Sequence, residues 1–200
     1  MTKNARYSLL SLLSLSVLAC PEPLNPCDLD RFACDEDLST FELDPTCDLT
    51  GDLTVIAGDG EGQFETLSGN DFPKIHFGPQ GGSHAFVGIR VENADLERYD
   101  RLKVAIEFLH AQTFPYDSCS GLGFEPVAGA ENSKTCWRPF GDRELVLGHK
   151  QPIQTDTDGA VQEHGILVFL DWGLGEKQRL DITVSDPCGR TGVAVHVTNP

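Results

Sequence analysis

Apolar and polar residues alternate with a period of two in several segments between residue 53 and the C-terminus. In the segment 101–108, the apolar positions are Leu102, Val104, Ile106 and Phe108. The same alternation recurs in 87–91, 180–184 and 193–197. This period is typical of β-strands that bury one face. The run 166–170 is apolar throughout, which predicts a central strand covered on both faces.

Glycine-rich segments separate these strands and supply the backbone angles of tight turns. They lie at 58–60, 78–82, 158–159 and 187–189. Patterns typical of helices are almost absent. Short strands with turns between them predict an all-β fold, an antiparallel sandwich of the immunoglobulin-like kind. The Cys–Trp–Cys core of antibody domains is missing, so the prediction covers the architecture and not that family.

The first nineteen residues have the plan of a secretory signal. Lys3 and Arg6 make the start basic, and an apolar run rich in leucine and serine covers 7–19. A permanent membrane span needs roughly 20 consecutive apolar residues, so this run is too short for one. We therefore interpret residues 1–19 as a cleaved signal peptide.

This segment ends in the sequence LSVLAC at 15–20, which resembles the lipobox of bacterial lipoproteins. The resemblance implies cleavage before Cys20 and a diacylglycerol thioether on its sulfur, although Leu18 is larger than the residue usual there. Several acyl chains anchor a protein stably, where one is marginal. The alternative is a plain signal peptide with an incidental cysteine. Lipidation predicts a protein of the bacterial cell envelope, attached to a membrane through Cys20.

Acidic residues dominate the segment 20–50, where Arg31 is the single base. Because few of these residues could build a core, we predict an acidic tether partly ordered by its cysteines, followed by a sandwich domain over 51–200. The whole chain carries a net charge of −16. Such a surface repels nucleic acid and anionic lipid headgroups, which argues against both as direct partners and leaves attraction of divalent cations open.

The chain contains seven cysteines, an even set once Cys20 is assigned to lipid. In an exported protein, disulfides are the default, although sequence alone does not fix their connectivity. We predict a bond between Cys119 and Cys136, which would close a glycine-rich insertion. In the loop-entropy model such a bond stabilises the fold by roughly 3 kcal/mol.

The predicted fold indicates a second bond. In such sandwiches the start of the first strand lies at the same end as the connection between the last two strands. Cys47, just before Leu53, would then reach Cys188. This pairing leaves Cys27 with Cys34.

The segment 69–90, with the sequence GPQGGSH at 78–84, resembles a recurring segment of uncharacterised predicted lipoproteins from myxobacteria and their relatives. The likeness extends loosely over 51–199. It implies a lipid-anchored or secreted sandwich with no assigned activity.

The residues of this turn also permit a functional interpretation. Gln80, Ser83 and His84 would form a polar recognition patch at the end of the sandwich, where loops often carry binding. The alternative, which we favour, is a structural turn with His84 hydrogen-bonded locally.

Catalytic motifs are weak throughout. The sequence GGSHA at 81–85 imitates a nucleophile elbow, but a strand follows it where the elbow requires a helix. Among the six histidines, only His76 and His84 would lie close enough to share a metal, and two ligands do not make a catalytic site. His196 alternates with valines and is predicted on the solvent face. We therefore predict no enzyme activity, no metal and no cofactor.

Two binding motifs also have simpler interpretations. Residues 156–159 with Glu163 resemble part of a calcium loop, yet the positions of the first and twelfth ligands do not match, so an acidic hairpin tip is favoured. Trp137 and Trp172 would provide a sugar-stacking platform, although core or rim packing is the commoner role of tryptophan.

The leading hypothesis is therefore a non-catalytic, lipid-anchored envelope protein whose sandwich contacts an envelope protein or glycan. The alternative is a carbohydrate- or calcium-binding envelope module.

Overall fold

The computed structural model describes residues 37–78, 81–115, 118–128, 134–171 and 177–198. Within these ranges the chain forms antiparallel strands, one 3-10 turn and one short helix, α1. The turn covers Leu38–Thr40 and α1 covers Cys119–Leu122. The strands are β1 (Thr54–Asp59), β2 (Glu65–Thr66), β3 (Ile75–Phe77), β4 (Ser83–Glu92), β5 (Leu102–Thr113), β6 (Glu125–Pro126), β7 (Thr135–Leu147), β8 (Val161–Leu170), β9 (Gln178–Ser185) and β10 (Thr191–Val197).

The strands form two sheets. In sheet A, β4 pairs with β8 along one side and with β1 and β3 along the other, and β2 pairs with β1. Sheet B has the order β10-β9-β5-β7-β6. Among the longer strands of the described ranges, sheet A holds β1, β4 and β8, and sheet B holds β5, β7, β9 and β10. Counted along the chain, these are the first, second and fifth long strands against the third, fourth, sixth and seventh. This is the arrangement of an immunoglobulin-like sandwich, and the predicted all-β fold is confirmed.

The core lies between the two sheets, where the alternating apolar residues meet. The predicted inward positions of β5 are Leu102, Val104, Ile106 and Phe108, each at most 2% exposed. Ile89 of β4 and Ile182 of β9 are fully buried in the same core. Burial of each such side chain stabilises the fold by roughly 1.5–3 kcal/mol.

Two predictions about strand faces are wrong. Within the described residues, β8 has a ladder only with β4, and Phe169 in the apolar run is 72% exposed. In β10, Gly192 faces inward, at a place where a Cβ would overlap the carbonyl of Leu53. Because side chains alternate along a strand, Val195 faces outward. His196 therefore lies on the inner side, with Nε2 2.6 Å from the Asp71 carbonyl oxygen.

The connections gather at two ends of the sandwich. The pairs Thr54–Glu92 and Leu102–Leu147 mark one end, and the 186–190 turn between β9 and β10 lies there too. The pairs Phe77–Ser83 and Thr113–Thr135 mark the other end. We call the first the strap end, because residues 37–50, the strap, lie against it.

The strap is tied to the sandwich by backbone contacts and a covalent bond. The Asp44 amide donates to the Pro187 carbonyl at 2.7 Å, and Arg101 Nη1 donates to the Thr40 carbonyl at 2.6 Å. The predicted disulfide Cys47–Cys188 is present, with its Cα atoms 5.3 Å apart. The last part of the predicted tether is thus packed on the domain. Its first part, with Cys20, Cys27 and Cys34, and the signal segment lie outside the described residues.

The other predicted disulfide is also present and joins Cys119 of α1 to Cys136 of β7, with a Cα separation of 5.4 Å. It closes the insertion between β5 and β7. Inside this insertion Val127 packs with Leu109 and Trp137 in a small apolar cluster, separate from the main core. The bond therefore holds a cover over the outer face of sheet B.

Candidate functional site

The structure separates the residues of the predicted polar patch. Ser83 is 6% exposed, and its Oγ donates to the Leu170 carbonyl at 2.9 Å, so it serves the joint between β4 and β8. His84 follows it in the strand and lies on the outer face of sheet A. Gln80 lies outside the described residues. Because neighbours in a strand face opposite ways, Ser83 and His84 do not form one surface.

Aromatic and imidazole rings collect on that outer face. His84 of β4 stands directly opposite His76 of β3, and their rings stack with centroids 5.4 Å apart. Phe86 meets both rings edge to face, at 5.7 Å from His76 and 5.4 Å from His84. On the other side of β4, Phe169 of β8 pairs with His84. We call this surface, with Phe64, the ring face.

Phe64 extends the ring face toward the strap end. It covers the paired glycines Gly58 and Gly88, and a Cβ on Gly88 would lie 2.9 Å from its ring. The glycines thus permit an aromatic side chain to lie flat on the sheet.

A cleft of about 300 Å³ opens on the ring face; we call it the Phe86 cleft. It is lined by Gly60, Glu61, Gly62, Phe86, His164 and Gly165. Two backbone hydrogen bonds fix the loop that follows β1. The Gly60 amide donates to the Phe86 carbonyl, and the Gly165 amide donates to the Gly60 carbonyl, both at 3.1 Å.

A β-bulge places the opposite wall of this cleft. The register between β4 and β8 shifts between Val87 and Ile89, at the position of His164 and Gly165. Gly165 has a φ of +78°, a conformation that favours glycine. Bulges of this kind re-aim side chains and are over-represented beside functional sites. Here the bulge brings His164 to the cleft.

Glu61 links the cleft to the histidine pair. Its Oε1 lies 3.3 Å from His76 Nε2, and its Oε2 accepts from Lys74 Nζ at 3.0 Å. The Lys74 hydrogen bond lowers the pKa of the Glu61 carboxyl. The carboxylate is therefore ionised at neutral pH, with a cation beside it.

A second cleft, of about 520 Å³, lies at the seam between strap and sandwich. Tyr99 donates to Asp44 at 2.5 Å, and Arg98 pairs with Asp48 at 2.7 Å. The hydroxyls of Thr46 and Tyr99 lower the pKa of Asp44 to about 2. Because these groups form hydrogen bonds and ion pairs with one another, attachment of the strap to the sandwich explains their arrangement.

Carboxylates line up across the outer face of sheet B. Asp181, Glu107 and Asp142 stand side by side on β9, β5 and β7. Partial burial, followed by repulsion from the two aspartates, raises the pKa of Glu107. In the part of the chain that the structure describes, no group of three or more His, Cys, Asp or Glu could hold a metal ion.

The calcium-like segment forms the favoured acidic hairpin tip. Asp156 accepts from the amides of Asp158 and Ala160 and pairs with Arg90 at 2.7 Å, while Glu163 accepts from the Gln154 amide. Its carboxylates are thus used within the fold.

The tryptophan platform is not supported. Trp137 is 5% exposed, and Lys177 and Arg179 lie over its ring, each 5.8 Å from the centroid. Packing against the insertion explains its position, in line with the simpler interpretation. Trp172 lies outside the described residues.

Within the described ranges, none of the helical segments has the length and apolar character of a membrane span. The chain has no significant match to a protein-family model, to a curated protein or to a solved structure.

Sequence reasoning found only the histidine part of the ring face. The alternation of His84 and Phe86 in β4 is a usable signal that both share one face. Glu61, His164 and Phe169 carry no such signal, because their approach depends on strand pairing and on the bulge.

Proposed function

We propose that the protein is a non-catalytic, lipid-anchored component of the bacterial cell envelope that presents its sandwich for binding. The observation that carries this proposal is the sequence LSVLAC at 15–20, with its resemblance to a lipobox. The two disulfides support export, since such bonds persist in oxidising compartments. The resemblance to uncharacterised myxobacterial lipoproteins fits the same location.

The attachment of the strap supports a defined orientation. A tether from Cys20 would reach the domain at the strap end, through Asp37 and the Cys47–Cys188 bond. Residues 20–37 would span up to about 60 Å if fully extended, and less if the predicted Cys27–Cys34 bond forms. The proposed anchor thus leaves the outer face of sheet A, which no disulfide-closed insertion covers within the described residues, accessible to an envelope protein or glycan.

The non-catalytic character is supported by the role of Ser83. The single motif that imitates a nucleophile elbow centres on this serine, whose hydroxyl is buried and donates to the Leu170 carbonyl. The net charge of −16 further supports a partner other than nucleic acid.

Mass spectrometry of protein purified from membranes of its native cell tests the anchor. We expect an N-terminus at Cys20 bearing diacylglycerol. A Cys20→Ser variant, the matched control, should lose the lipid and leave the membrane fraction while keeping its folded spectrum. Residues 1–19 still attached to wild-type protein, or an unmodified Cys20, would overturn the proposal.

A further inference from the structure

We infer that the Phe86 cleft binds a neutral sugar ring, and that the ring face continues this site for a glycan chain. Such a site deepens the proposed binding role and rests on that proposal only for its location, the cell envelope, in which the glycan would be met. It stands on the shape of the cleft, its polar groups, its charge and the exposed rings around it.

The floor of the cleft suits the apolar side of a pyranose. Phe86 lines the cleft, and the edge-to-face contacts of His76 and His84 fix its ring. An aromatic face carries negative charge density, which attracts the polarised C–H groups of a sugar. The ring is thus held in place before any ligand arrives, so little side-chain entropy is lost on binding.

The walls of the cleft supply the polar contacts that hydroxyl groups need. Glu61 offers carboxylate oxygens on one side, and His164 offers imidazole nitrogens on the other. Gly62 and Gly165 lack side chains and have open space where a Cβ would lie, which permits close approach of a ligand to the backbone. A few polar groups around an aromatic floor are the usual composition of a small-ligand site.

Charge favours a neutral ligand. Glu61 already has Lys74 at 3.0 Å and His76 at 3.3 Å, so a cationic ligand would compete with existing partners. An anionic ligand would meet the field of a chain with net charge −16. A neutral, polyhydroxylated ring needs neither a free charge nor a metal.

The exposed rings extend the site beyond one sugar. Phe86 and His84 are two residues apart on the same face of β4, and their ring centroids lie 5.4 Å apart, edge to face. Across the sheet, His84 pairs with Phe169 of β8, whose side chain is 72% exposed and adds a second phenylalanine to the surface. These rings continue the apolar surface beyond the cleft, where further sugars of a chain can contact it.

Isothermal titration of the purified full chain tests the site. The probes are short neutral cello-, manno-, malto- and chito-oligosaccharides, with oligogalacturonate as the acidic arm. We expect binding of at least one neutral series and none of the acidic one. His164→Ala and Phe169→Ala should each weaken binding by about tenfold or more. Val193→Ala, at a comparably exposed position on sheet B, is the control and should stay within about twofold.

The NMR signals of the histidine rings in the wild-type chain give a second readout, which requires no substitution. A neutral ligand should shift the signals of His76, His84 and His164 and leave that of His149 unchanged. The inference is overturned by the absence of neutral binding, by preference for the acidic arm, or by equal losses in Phe169→Ala and Val193→Ala. Since titration needs no lipid, glycan binding with an unmodified Cys20 would refute the anchor alone, and the converse result would refute this site alone.

Discussion

Removal of the Cys47–Cys188 bond should destabilise the fold more than removal of Cys119–Cys136. The two bonds differ in the length of chain they close, with sequence separations of 141 and 17 residues. In the loop-entropy model, the free energy of unfolding falls by about 5 kcal/mol for the longer loop and about 3 kcal/mol for the shorter. The longer loop includes nearly the whole sandwich, so its unfolded ensemble is restricted most.

The assay is equilibrium unfolding in urea of two paired variants, Cys47→Ala/Cys188→Ala and Cys119→Ala/Cys136→Ala. Paired replacement leaves no unpaired thiol from the broken bond. Tryptophan fluorescence, recorded in a Trp172→Phe background so that Trp137 is the emitter, and circular dichroism should report the same midpoint if unfolding is two-state. Local loss of the apolar cluster around Trp137 would appear as an earlier fluorescence transition in the second variant alone.

Equal destabilisation by the two paired variants, or a larger effect at Cys119–Cys136, would refute the loop-length reasoning. The second result would mean that packing of Cys119 and Cys136, which are at most 1% exposed, outweighs chain entropy. Reduction of the wild-type chain with a thiol reagent opens both loops and leaves every cysteine side chain in place. It therefore measures independently the combined loss of stability from the two bonds.

Three further predictions concern charge, core and backbone. The pKa of Asp44 is lowered from 3.8 to about 2, so the ionised carboxylate stabilises docking of the strap above pH 3.8, and this stabilisation is lost as pH falls through about 2. Hydrogen exchange of the strap should therefore quicken over this pH range in the wild-type chain, and the change should be smaller in Asp44→Asn. Phe108→Ala should lower the free energy of unfolding by about 3–5 kcal/mol, against about 0.5 kcal/mol or less for exposed Phe169→Ala, as measured in urea. Gly148→Ala should lower the melting temperature more than Gly159→Ala, although both have positive φ, because only the first Cβ would overlap a carbonyl; equal shifts would contradict this.

The amino-acid pattern alone is enough to establish the architecture of this protein. Alternation in 101–108 and 180–184 marks strands and their inner faces, because burial of one face imposes a period of two on the chain. The pairing of Cys47 with Cys188 follows from the order of strands in a sandwich. Such features depend on local pattern and on topology, which can be followed along a single chain.

Three-dimensional packing sets the faces of the edge strands and the make-up of the ring face. Phe169 is exposed because it lies on the outer face of sheet A, and His196 lies on the inner side because it shares a strand face with Gly192, which meets the backbone before β1. Glu61 and His164 meet across the Phe86 cleft only through pairing of distant strands and one bulge. Register between remote segments is set by their mutual packing, and no local period in the sequence records it.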